Sequence, residues 1–195
     1  MTEPFVGPRL SRTSARRACS AAAWPLLSER PFHAECHLPR HRLQQMDVSV
    51  SELIVEDLEQ CARLFVEAFA APPWQQRWTH DAAVARLDVL LNSGNALALK
   101  ASVRGRIAGF IVGETEAWNA SKLFLIKELC AAASEQRKGI GRRLVDVLMN
   151  RLPPEVEKAY LLTERESPAR LFYASLGFST NDAVVVTARD LNEHS

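Results

Sequence analysis

The chain has 195 residues, 47% hydrophobic and 24% charged, with a formal charge of +1 at pH 7. That near-neutral balance excludes a protein held on nucleic acid or on an anionic membrane by bulk charge. No apolar run approaches the ~18 residues needed to cross a bilayer, and the composition is that of an ordinary globular domain.

The first 45 residues are a different polymer from the rest. They carry seven arginines, no lysine and three acids, whereas the remainder carries 17 basic and 20 acidic side chains. Five of the ten prolines also fall here and no apolar period survives them, so disorder is the expected state of residues 1–45. Met46 sits at the junction with the domain and is a candidate true start. The competing reading is a transit peptide rich in arginine, serine and alanine. His33, His37 and His41 are four apart with Cys36 beside them, but Pro39 breaks any helix that would align them. No metal is expected.

From residue 46 onward the chain reads as one domain. Val48–Val50 alternates ahead of Leu53-Ile54-Val55 and reads as a first strand. Leu58, Ala62, Leu64, Phe65, Ala68 and Phe69 then share a helical face that Pro72-Pro73 ends. Thr79 can cap a second helix, with Val84, Leu87, Leu90 and Leu91 on its apolar face and Gly94 closing it. Ala96–Val103 and Ile107–Gly113 flank Arg104-Gly105-Arg106 as a hairpin, and a polar connection runs from Glu114 to Ser121. Leu123–Cys130 is a strand, and Leu144, Val145, Val147, Leu148 and Leu152 mark a third helix. Glu157–Thr163 is a buried strand. Ser167-Pro168 starts a fourth helix, Gly177 caps it, and Phe178 and then Ala183–Ala188 begin strands. Cys19, Cys36, Cys61 and Cys130 follow no metal spacing and read as reduced thiols, the cysteine usage of a cytoplasmic protein.

The segment Gln136-Arg137-Lys138-Gly139-Ile140-Gly141 stands between the strand and the third helix. A strand, a loop with two glycines and a helix start leave several N–H groups unpaired at the positive end of the helix dipole. Arg137, Lys138 and Arg142 add full charges, so the place suits a phosphate or diphosphate. A P-loop needs Ser or Thr after Gly-Lys for its magnesium, whereas Gly141 is followed by Arg142-Arg143. A dinucleotide loop needs a third glycine, and Val145 stands near its place. An ordinary tight turn is the remaining alternative from the loop alone.

The pattern at Gln136, Gly139 and Gly141 resembles the pyrophosphate loop of the GNAT superfamily of N-acetyltransferases. Phe172-Tyr173-Ala174-Ser175-Leu176-Gly177-Phe178 is similar to the segment that ends the same family's core. The resemblance implies an α/β fold over residues 46–195, with a mixed sheet of six to seven strands, splayed central parallel strands and about four flanking helices. It implies acetyl-coenzyme A as co-substrate, without a metal. Gln136, Arg137, Lys138, Gly139, Ile140, Gly141 and Arg142 would hold the phosphates, with backbone groups of Leu129, Cys130 and Ala131 along the pantetheine arm.

Tyr173 matches the family's tyrosine that protonates the departing thiolate, for which a phenol is chemically suited. Glu128, the one carboxylate in an apolar strand end, is the candidate general base, and an edge acid paired with Lys127 or an arginine is its alternative. Trp74 and Trp78 sit where the family forms its acceptor-side wall, and core packing or a homodimer contact would use the same rings. Asn119 and Ser167 are minor candidates. The expected reaction is acetyl transfer to the primary amine of a small molecule. Acetylation of a protein lysine or N-terminus, hinted at by Glu114, Glu116 and Glu128, and a non-catalytic acetyl-coenzyme A sensor are the competing readings.

Overall fold

The computed structural model describes residues 48–189, so the readings made on the basic leader, Met46 and the three histidines lie outside the described residues. Five strands form one sheet in sequence order: β1 (Val48–Glu52), β2 (Ala96–Val103), β3 (Arg106–Trp118), β4 (Ser121–Ala131) and β5 (Val156–Leu161). The first four run antiparallel, and β5 lies parallel to β4. A parallel pair needs a crossover, and α3 (Ile140–Arg151) supplies it. Between β1 and β2 come α1 (Leu58–Ala70) and α2 (His80–Leu91), and α4 (Pro168–Ala174) follows β5.

Each face of the sheet closes over its own core. On one side Phe110, Val112 and Cys130 meet Cys61, Ala62 and Phe65 of α1 and Ala83, Leu87 and Leu90 of α2. On the other, Leu99, Ile111, Phe124 and Ile126 meet Ile140, Leu144, Val145 and Leu148 of α3. Each fully buried Val, Leu, Ile or Phe side chain among them contributes about 1.5–3 kcal/mol. The helix limits follow the local chemistry. Thr79 Oγ1 accepts from the Ala82 amide at 3.2 Å, and the Ser167 hydroxyl accepts from the Arg170 amide at 3.4 Å.

Two expectations need correction. The segment Glu114–Trp118 is strand, because β3 and β4 form one long hairpin turning at Asn119, whose φ is 54°. The last two residues of that segment, Ala117 and Trp118, are exposed, as a polar run would favour. The strands expected at Phe178 and Ala183–Ala188 are irregular chain, and the sheet has five strands among the described residues rather than six or seven. Val184, Val185 and Val186 are 65%, 78% and 74% exposed. β-Branched residues favour a pleated, half-buried surface, and among the described residues no strand pairs with this segment to supply one.

Two irregularities in β4 prepare the site. Val112 pairs with Glu128 while Gly113 pairs with Ile126, so Lys127 is an extra residue in a bulge. The bulge reverses the side-chain alternation. Phe124 and Ile126 point into the α3 core, whereas Glu128 and Cys130 turn to the α1–α2 side. The parallel pairing with β5 also stops at Ile126–Leu161, and β4 runs on to Ala131 paired with β3 alone.

Candidate active site

Beyond Ile126 the two parallel strands separate and leave one edge of β4 uncovered. Ala132 donates its amide to Ala108 of β3 at 2.8 Å, and the side of a strand alternates from residue to residue. Cys130 therefore bonds toward β3, and Leu129 and Ala131 present their N–H and C=O groups to the gap. Gln136 Nε2 donates to the Ala131 carbonyl at 3.3 Å, which fits this assignment. Of the three residues expected to offer backbone groups, two face the gap and Cys130 does not.

The chain then makes a short 3-10 turn, Ala133–Glu135, and enters the glycine loop. Arg137 has φ 60° and Gly139 has φ 88°, two left-handed residues that rotate successive amides toward one side. A Cβ on Gly139 would meet nothing within 4 Å, so glycine is needed there for its dihedral and not for space. The first helical bond of α3 runs from the Arg143 amide to the Gly139 carbonyl at 2.9 Å. Among the described residues, none of the amides of Arg137–Arg142 finds a backbone acceptor. They lie at the positive end of a 12-residue helix and are suited to an anion.

The second motif packs directly on this loop. A Cβ on Gly141 would come within 3.1 Å of the Phe172 ring, so the glycine lets α4 approach the start of α3. Arg142 donates to the Ser175 carbonyl at 3.3 Å and to its hydroxyl at 3.2 Å, which binds it to the end of α4. Lys138 lies 3.3 Å from Glu135, and both it and Arg137 stay at the surface.

Tyr173 packs edge-on to Phe172 and Phe178, with ring centroids 5.1 and 5.4 Å away. Burial pushes its phenol well above the ordinary tyrosine value, and Cys130 and Glu128 push it further. It stays protonated through the neutral range. Burial also pushes the Cys130 thiol well up, with Glu128 and Cys61 adding to the effect, so Cys130 is a neutral thiol and a poor nucleophile.

Glu128 is 7% exposed. Burial raises its pKa above the usual glutamate value, against the opposing pull first of Arg86 and then of Lys127. Arg86, on α2, was invisible to sequence reasoning. Its Nε donates to Glu128 Oε1 at 2.6 Å and its Nη2 contacts the same oxygen. The two residues are 42 apart in sequence, and only the packing of α2 across the sheet brings them together. On the same face, Lys127 pairs with Glu114 at 3.4 Å and the Tyr160 hydroxyl donates to Glu116 at 2.6 Å.

Trp74 and Trp78 belong to an aromatic cluster under the α1–α2 connection. Trp74 stands 5.9 Å from Phe69, and Trp78 stands edge-on to Phe65 at 5.1 Å. The guanidinium of Arg86 lies 5.8 Å from the Trp78 ring, which places Trp78 behind the Glu128 partner. Asn119 is at the far turn of the β3–β4 hairpin, and Ser167 caps α4. Among the described residues no cluster of His, Cys, Asp and Glu is arranged to hold a metal ion, and no helix is long and apolar enough to cross a membrane.

Residues 94–180, which span β2 to α4, match the family model of the acetyltransferase (GNAT) domain. The match covers both the glycine loop and the Phe172-Tyr173 segment, and this part of the chain is an acetyltransferase (GNAT) domain. A possible acetyltransferase from Clostridium difficile 630 superposes with a TM-score of 0.65 at 18% identity, over 74% of this chain and 99% of that one. The ribosomal-protein-alanine N-acetyltransferase of Brucella melitensis biovar Abortus 2308 gives 0.60 at 20% identity, over 73% and 99%. An aminoglycoside acetyltransferase from an uncultured soil metagenomic sample, solved with sisomicin, gives 0.58 at 20% identity, over 74% and 97%. At these identities the likeness is one of fold. Comparison with curated protein sequences gives no match.

Proposed function

We propose that the domain transfers an acetyl group from acetyl-coenzyme A to the primary amine of a small molecule, by direct attack and without a covalent enzyme intermediate. When bound, the coenzyme supplies an acetyl thioester. The amides of Arg137–Arg142 hold the diphosphate, with Lys138 alongside as a surface cation. Leu129 and Ala131 bind the pantetheine arm through the open edge of β4, and the Leu129 N–H polarises the thioester carbonyl.

Glu128 takes the proton that the attacking amine must lose. As the C–N bond forms and the C–S bond breaks, Tyr173 gives its proton to the thiolate. The raised pKa of Glu128 suits a base that must hold a proton during turnover, and the raised pKa of Tyr173 keeps the acid loaded. Glu114 and Glu116 lie on the same face and favour a cationic acceptor, for which Trp78 and Trp74 form the adjoining wall.

The single observation that supports this reading is the meeting of the two motifs. The unpaired amides at the start of α3 adjoin Leu129 on the uncovered edge of β4, and Phe172, the neighbour of Tyr173, packs on the same glycine, Gly141. A thiol-release assay with acetyl-coenzyme A and a panel of amines tests it, the panel including a polyamine, an amino sugar and a lysine peptide. Turnover with a small amine is the expected result. Tight coenzyme binding with no turnover on any amine would contradict it and favour a sensor, and turnover on the peptide alone would move the acceptor to protein.

A further inference from the structure

We propose that Arg86 is a positioning residue for Glu128: it clamps one carboxylate oxygen from behind and leaves the other as the only face a substrate amine can reach. The inference rests on the reading of Glu128 as the base, and it adds how that base is aimed and kept ionised.

The geometry is specific. Nε and Nη2 of Arg86 both converge on Oε1 of Glu128, so the guanidinium does not bridge the two oxygens in the usual fork. Oε2 receives no hydrogen bond among the described residues, yet no buried side-chain oxygen is left without a partner. Oε2 therefore keeps contact with solvent. The carboxylate as a whole is 7% exposed, so that contact is narrow.

Arg86 is itself held. Its guanidinium lies 5.8 Å from the Trp78 ring, and Trp78 is fixed edge-on against buried Phe65. Ala83, Leu87 and Leu90 seat the same helix in the core. The chain of support runs from the α1 core through Trp78 and Arg86 to Glu128.

The charges around Glu128 decide what the clamp does. Arg86 faces it from α2, Lys127 and Cys130 lie beside it on β4, Tyr173 of α4 is coupled to it electrostatically, and Cys61 packs with Cys130 from α1. Of these, only Arg86 and Lys127 favour the carboxylate, and Lys127 is already paired with Glu114. Without Arg86, burial acts on Glu128 almost unopposed. The carboxyl would then be protonated, and free to rotate, over more of the working range.

The test is a direct titration of Glu128 by carbon NMR of protein labelled at the glutamate carboxyl carbons. Glu128→Gln identifies the signal. Arg86→Met should raise the Glu128 pKa by about one unit or more, the size expected for losing one adjacent opposite charge. Arg86→Lys should restore part of that shift, because it returns the charge without the fork. The thiol-release rate, measured against pH with whichever amine turns over, should move its acid limb by the same amount.

A Glu128 titration that stays put in Arg86→Met, with or without a lower melting temperature, overturns the proposal and reduces Arg86 to a structural contact. A titration that shifts while the acid limb does not supports the clamp and refutes the assignment of Glu128 as base. Arg86 is 43% exposed at its side chain, so the variants test the contact rather than the fold.

Discussion

Gly139 and Gly141 stand two residues apart in the same loop, yet the structure assigns them different reasons for being glycine. An alanine at each position separates the two. At Gly139 the backbone sits at φ 88° and an added Cβ meets nothing within 4 Å. The cost of Gly139→Ala is thus purely conformational, about 1–2 kcal/mol for placing an L-residue in the left-handed region. For a domain of this size that corresponds to a fall in melting temperature of roughly 2–8 °C. If the loop relaxes instead, the amides of Arg137–Arg142 lose their common direction and acetyl-coenzyme A binding weakens by about tenfold, the equivalent of 1.4 kcal/mol.

At Gly141 the dihedral is ordinary for a helix and the constraint is the Phe172 ring, 3.1 Å from an added Cβ. Alanine gains about 0.5–1 kcal/mol of helix preference there and loses part of it to the ring, so stability should change little. The displaced Phe172 sits against Tyr173, and turnover should fall while coenzyme affinity holds. Calorimetric melting and isothermal titration with acetyl-coenzyme A read both effects. Equal, wild-type behaviour of Gly139→Ala in melting and in binding would refute the reasoning, as would a large stability loss in Gly141→Ala.

Other outcomes follow from the same geometry. Tyr173→Phe removes only the hydroxyl and leaves the ring packing on Phe172 and Phe178 intact. It should lower kcat while sparing melting temperature and coenzyme affinity, as read by thiol release and titration; an unchanged kcat would remove the phenol from the mechanism. Glu128 has a folded-state pKa raised by burial, so its contribution to stability is complete below the ordinary glutamate value and is lost as pH rises through the folded value. Glu128→Gln should therefore abolish turnover at neutral pH with little loss of melting temperature, and a large loss would show that the ionised pair with Arg86 holds the fold. Leu144→Ala, at a site with 0% exposure beneath α3, should cost about 2–5 kcal/mol in denaturant unfolding. Serine at Val184, Val185 and Val186 together should stay within about 0.5 kcal/mol per site in the same assay, because these side chains face solvent. A loss of several kcal/mol would mean that the segment completes the sheet.

The elements legible in the sequence are those whose signals are local. Thr79 and Ser167 cap the helices their side chains indicate, and the period of Leu144, Val145 and Leu148 marks the buried face of α3. The two glycine-bearing motifs were readable because dihedrals and close approaches leave a mark on single residues. The expected strand at Ala183–Ala188 rested on β-branched composition, which describes a residue's preference for a pleated surface but not the presence of a neighbour to provide one. The bulge at Lys127 reverses which side of β4 carries Glu128, and its cause lies in the pairing with Gly113 and not in β4 itself. Arg86 and Tyr160 reach the site from separations of 42 and 44 residues, distances over which sequence pattern carries no contact information. Arg142 looked like a phosphate ligand from its place beside the loop, yet the Ser175 carbonyl at the end of α4 also attracts a cation, and the side chain is bonded there.

Amide chemical shifts of nitrogen-15-labelled protein, followed while acetyl-coenzyme A is added, address the binding geometry most directly. The signals of Arg137 to Arg142 should move furthest and saturate together, with Leu129 and Ala131 following as the arm fills the gap beside β4. Saturable binding that leaves those six amides where they were would contradict the account at its centre.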